Sequence, residues 1–287
     1  MSNHSFLQHI KHDVKLGIFG QWKYYIPITL IFIFLCLQMS VHHQQVINSP
    51  TEPSQSIEPV LHFGDYIFYM FRGMKIFTAT DKEFKVNIFW LVINLYISFV
   101  VSFYPFKDLK GYGQLMLLRS QKRSYWWLSK CIWVSFSIFM CYIIAFAVAA
   151  IFTLACGEFS IYPQSEMQAY FSETNVNGLT AQGILLNAFL LPVICSISIS
   201  LLQLFISNVF QPLFGLMITA AVLVCSVFYC VPFLPANFIM LMRNEFVLPG
   251  TGIHFTAGIC IAIPLAVISS VLGMLIFQKK DLFTQPE

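Results

Sequence analysis

Six stretches of the 287-residue chain are almost wholly apolar: 24–41, 86–106, 130–156, 181–208, 213–235 and 255–277. Each approaches or exceeds the roughly 20 residues that a helix needs to cross a hydrocarbon core. None alternates apolar and polar positions like a barrel strand, and each is too long for one. Lys, Arg, Asp and Glu are absent from their interiors. The pattern predicts an all-α, polytopic membrane protein with six transmembrane helices in one transmembrane domain over 1–287.

The segments between the spans carry weaker periodicities. In 5–20, Phe6, Leu7, Ile10, Val14 and Ile18 recur at helical spacing, with His4, Gln8, Lys11, His12 and Lys15 on the other side. This predicts an amphipathic interfacial helix before the first span, whose basic face suits either anionic lipid or a docked partner. The outer loop 42–85 begins with an irregular stretch rich in Pro, Ser and Glu over 48–59. It continues with a run of large apolar side chains over 63–75, too short and too charged to span. That run predicts an interfacial helix with Tyr66 and Tyr69 at headgroup level, or a small cap against the bundle. The loop 209–212 predicts a tight hairpin between the fourth and fifth spans. Pro232 and Pro235 break the end of the fifth span, and 249–252 turns the chain back, which predicts a broken, partly re-entrant element.

Charge sets the orientation. With the N-terminus inside, eleven of the sixteen Lys and Arg fall on the inner side, and nine of the thirteen acids fall outside. Both termini are therefore expected in the cytoplasm. The inner segment 107–129 is the richest: between Lys107 and Lys130 it holds six basic residues and one acid. Gly111 and Gly113 separate it from the second span, and Trp126 and Trp127 open the third. It predicts a positively charged elbow, with a short helix at 114–120 presenting Leu115, Met116 and Leu118 to the membrane. Lys11, Lys15 and Lys23 before the first span resemble the basic region of a signal peptide, but no small-x-small cleavage site follows, so an uncleaved helix is expected.

Composition agrees with these spans. The chain is 57% hydrophobic and only 10% charged, with a mean hydropathy of +0.73. So few charges cannot cover a water-soluble globule, which excludes a soluble enzyme, a secreted disulfide scaffold and a nucleic-acid binder. The eight Cys lie within spans or at their ends and form no CxxC motif, so they read as small packing residues.

The chemistry is sparse. No phosphate-binding GxxxxGK[ST], GxSxG elbow or HExxH occurs. The pair His42–His43 reads as solvated rather than metal-binding. No catalytic, cofactor or metal residue is expected. Asn94, Asn187 and Gln203 are the notable polar groups within spans, either hydrogen-bonding between helices or lining a pore. A carrier without intramembrane charge or a nucleotide site has no visible energy source of its own.

The six spans, the amphipathic N-terminal helix, the elbow 108–130, the tight turn 209–212, the broken element before the sixth span and the outer stretch 64–73 together resemble permease subunits of type-2 ABC transporters, in their small Gram-positive bacterial form. The resemblance implies two permease copies or homologues in the cytoplasmic membrane, driven by separate ATPase subunits that bind and hydrolyse the ATP. It implies a first coupling helix at 113–124, with Gly113, Gln114, Leu117, Leu118, Arg119, Lys122 and Arg123 contacting the ATPase, and a second elbow at 209–212. It implies export of peptides, bacteriocins or other amphipathic compounds. The alternative reading is a non-transporting scaffold or sensor that anchors a signalling protein at the same elbow.

Overall fold

The computed structural model describes residues 2–48, 60–76, 86–120, 122–164 and 179–280. Helix α1 (Ser2–His12) leads through a π-helical segment (Asp13–Ile18) and a 3-10 segment (Phe19–Tyr25) into α2 (Ile26–Ile47). Next come strand β1 (Leu61–His62), α3 (Phe63–Phe71), α4 (Ile88–Leu109), α5 (Tyr112–Ser120), α6 (Arg123–Cys156) and strand β2 (Gly157–Glu158). The chain closes with α7 (Ala181–Val209), α8 (Pro212–Phe228) and α9 (Phe255–Lys279). The irregular reading of 49–59 lies outside the described residues.

The protein is an all-α, multi-pass membrane protein. Five helical segments are long and apolar enough to cross a membrane, and they coincide with the first, second, third, fourth and sixth apolar runs. The fifth run differs. Helix α8 has 17 residues, about 25 Å of rise, short of a roughly 30 Å hydrocarbon core. It stops at Phe228 because Pro232 disfavours helical backbone before it and Arg243 takes the terminal carbonyls of Ser226 and Val227. Segments α4 and α7 are the most buried of the five and form the middle of the bundle, whereas α9 is the most exposed.

Proline also shapes α7. Pro192 has no N–H to donate one turn back, and the helix widens to π geometry over Leu185–Leu190 just before it. Helix α6 has no such break. Its 34 residues run about 51 Å, starting seven residues before the predicted span.

At the end of the bundle remote from the N-terminus, β1 pairs in parallel with β2, Leu61 opposite Gly157 and His62 opposite Glu158. This ladder delivers α3 into the bundle, where all nine of its residues are buried. Tyr66 is 1% exposed and bonds Ser40 rather than a headgroup. Of the two expectations, the burial disagrees with an interfacial helix and is compatible with an element packed against the bundle. Asp65, fully buried, fixes its start by accepting from the N–H groups of His62 (3.0 Å) and Gln164 (2.8 Å).

Beside α3 lies the second irregular element, two 3-10 turns at Pro235–Ile239 and Leu241–Arg243. Arg243 holds it in place. Its Nε donates to Met74 O (3.1 Å), Nη2 to Val227 O (2.7 Å) and Lys75 O (3.2 Å), and Nη1 to Asn237 Oδ1 and Ser226 O. Burial pulls this guanidinium below its ordinary range. Its partners among the described residues are neutral oxygens, which carry the charge as a ring of dipoles.

Candidate functional site

At the end of the bundle near the N-terminus, ionisable groups pack together just outside the apolar span interiors. Helix α4 extends past its apolar run to carry Asp108, and α6 carries Lys130, the first residue of its run, inside the packed protein, with Lys130 only 1% exposed. Hydropathy places Lys130 at a span boundary, where a lysine ordinarily reaches for water. Here a second carboxylate, Asp13, comes from the turn after α1 and completes an internal charge centre.

Lys130 Nζ donates to Asp108 Oδ2 at 2.6 Å and to Asp13 Oδ1. It also sits 4.8 Å from the ring centre of Tyr104 and 5.1 Å from that of Trp126. Each carboxylate has two further partners. Tyr104 OH and Ser129 Oγ donate to Asp13 at 3.0 and 2.7 Å. Trp126 Nε1 donates to Asp108 Oδ2 at 3.3 Å, and His12 Nε2 lies 3.1 Å from Oδ1. Every charged atom has hydrogen-bond partners, the condition under which buried ions are tolerated.

His12, Asp13 and Asp108 lie within 4.8 Å of one another, as a metal site would require. The Lys130 ammonium already bonds both carboxylates, so the cluster carries its own cation.

The elbow helix α5 rests on this centre. Its buried Gly113 lies against Asp108, where a Cβ would stand 2.1 Å from Oδ2. His12 stacks on Tyr112 with ring centres 4.8 Å apart. Leu117 is the large side chain of α5 that turns inward, at 5% exposure. Gly113→Ala is therefore expected to push Asp108 off Lys130 and cost about 1–3 kcal/mol. Gly111→Ala is the control, since its Cβ meets nothing closer than 3.5 Å. Thermal unfolding followed by size-exclusion chromatography separates the two, and equal midpoints contradict the packing argument.

The seven elbow residues read as partner contacts divide accordingly. Gly113 and Leu117 face inward and Gln114 is half-buried. Leu118, Arg119 and Lys122 are exposed, joined on the same surface by Tyr112 and Leu115. Arg123 is engaged with its own bundle, donating to the carbonyls of Gln278 (3.0 Å) and Lys280 at the end of α9. Lys280 in turn donates to Asn208 O at the end of α7.

The three polar span residues make separate hydrogen bonds, Asn94 and Asn187 to carbonyls of their own helices and Gln203 to the neighbouring one. Asn94 donates to Trp90 O at 2.8 Å. Asn187 donates to Gly183 O and accepts from Asn244 at 2.8 Å. Gln203 ties α7 to α4 through Ser98 O and Ser102 Oγ. All three are buried. His42 bonds Gln45 and Gln38 along its own helix.

The charge centre was missed from sequence because its members are 22 and 117 positions apart. The available signal was Asp13 and Asp108, which with the C-terminal Asp281 and Glu287 are the only acids on the side that the charge pattern reads as inner, among eleven basic residues.

A family model described as a protein of unknown function (DUF2705) matches residues 63–283. The match takes in Asp108, Lys130 and Arg243, and Asp13 lies N-terminal to it. No curated protein and no solved structure matches the chain.

Proposed function

The chain belongs to the DUF2705 family, whose function is unknown, and we propose that it serves there as the membrane-spanning subunit of an ATP-driven ABC transporter, exporting a peptide or another amphipathic compound and energised by a separate ATPase. The observation that carries this reading is the placement of α5. Tyr112, Leu115, Leu118 and Arg119 form an exposed apolar and basic face, on a helix whose inner side is fixed to the buried Lys130 centre. A partner that changes shape on that face pushes on the bundle rather than on a loose loop. In this reading the α5 end is cytoplasmic, in keeping with its eleven basic residues.

Asn94, Asn187 and Gln203 are committed to structural hydrogen bonds and Lys130 is paired with both carboxylates. In this reading the separate ATPase supplies the energy for transport.

A photo-crosslinking residue at Leu118 in the full-length chain tests this in native membranes. The expected adduct is a protein carrying a Walker ATPase motif whose ATP hydrolysis responds to the chain. An adduct with a kinase or protease instead establishes the scaffold or sensor role, and no adduct removes α5 as a docking site. Leu118→Asp with Arg119→Glu is expected to weaken ATPase binding at least roughly tenfold. Both side chains are exposed, so the thermal midpoint should stay put.

A further inference from the structure

The N-terminal segment docks on the bundle in an unusual sense. Its buried ridge is His9, Asp13 and Gly17, spaced by four, and includes a carboxylate given to Lys130. The ridge facing away is Leu7, Lys11, Lys15 and Phe19, also spaced by four. Leu16, Trp22 and Lys23 extend that outer surface. Leu7 is 62% exposed, Phe19 69% and Trp22 58%. An amphipathic segment thus turns acidic and imidazole groups inward and presents apolar side chains interleaved with three lysines outward.

Large apolar groups beside exposed lysines, immediately before a spanning helix, match the boundary between acyl chains and phosphate headgroups. We propose that the outer ridge of 7–23 is a binding site for anionic phospholipid, with Leu7, Leu16, Phe19 and Trp22 in the acyl region and Lys11, Lys15 and Lys23 on the headgroup phosphates. The charge complementarity selects the occupant. Three lysines attract an anionic leaflet, and the one nearby acid, Asp13, is buried away from it. This inference requires a membrane but not the transporter reading, so the two fail separately.

Trp22 supplies the probe. The other four tryptophans, Trp90, Trp126, Trp127 and Trp133, are each at most 3% exposed. The full-length chain is reconstituted in phosphatidylcholine bilayers containing 30 mol% brominated phosphatidylglycerol, or the same fraction of brominated phosphatidylcholine. The signal is the quenching lost in Trp22→Phe. Quenching by the anionic lipid is expected to exceed that by the neutral lipid about twofold. The excess should shrink in 0.5 M NaCl and in Lys11→Gln/Lys15→Gln/Lys23→Gln. Equal quenching by the two lipids overturns the anionic preference. Absence of any Trp22 quenching overturns the lipid contact itself and leaves the ridge to water or a protein. The wild-type comparison and its salt dependence stand even where the triple variant fails to fold.

Discussion

Lys130→Met is expected to lose about 3–5 kcal/mol of stability, because the substitution strands Asp13 and Asp108 as neighbouring carboxylates without their cation. The side chain that replaces it has similar length and no charge, so the loss is electrostatic rather than a matter of packing. The control is the triple variant Asp13→Asn/Asp108→Asn/Lys130→Met, which removes the stranded charge. It should recover most of the loss, since neutral replacements of a whole buried ion group are often tolerated. Thermal midpoints in detergent measure both. A single variant as stable as wild type, or a triple variant no better than the single, contradicts the charge-centre description. The single variant should also free α1 and α5, which the centre holds from two sides. Hydrogen exchange at residues 7–17 and 112–119 is expected to rise before exchange in α7 does.

Arg243→Met should be comparably damaging at the other end, by about 3–5 kcal/mol, for a different reason. Here no opposite charge is stranded. The loss is of donors: the carbonyls of Met74, Lys75, Ser226 and Val227 and the Asn237 side chain lose a partner in a buried site. Those oxygens belong to three segments, so the turn over 235–243, the 72–75 stretch and the end of α8 should loosen together. Arg243→Lys keeps the charge but not the planar fork, and one ammonium cannot reach oxygens on all sides. It is expected to fall between wild type and Met. A Lys variant as stable as wild type would show that charge alone, not the fork, holds the site.

How far these sites were legible follows from what hydropathy measures. The apolar runs located the long helices because crossing a bilayer demands about 20 apolar residues in sequence, a local property. The charge centre is a pairing property. Lys130 looks like a boundary residue until Asp13, 117 positions earlier, is placed beside it. Helix α3 shows the same limit in reverse. Phe63–Phe71 is apolar enough for a membrane surface, and nothing in its own pattern distinguishes lipid from the interior of a bundle. The elbow was visible as a helix after Gly111, because glycine and charge punctuate the chain there. Which side of it faces inward rested on Gly113 meeting Asp108, a contact between elements. In α8 the prolines were read, but the end of the helix was set by a distant arginine competing for its carbonyls.

Helix α6 differs mechanically from its neighbours. Proline or glycine occurs in each of the other long helices: Pro27 in the first turn of α2, Pro105 in α4, Pro192 in α7, Gly215 in the shorter α8 and Pro264 in α9. The sequence of α6 contains neither over all 34 residues. Near its start it is pinned by Lys130 and by Arg123's grip on the end of α9. At its far end it runs directly into the strand that pairs with the threshold of α3. A rod clamped at both ends and free of hinges does not absorb a displacement. If the proposed partner pushes on the elbow, this helix is the element that joins that end of the bundle to the buried α3.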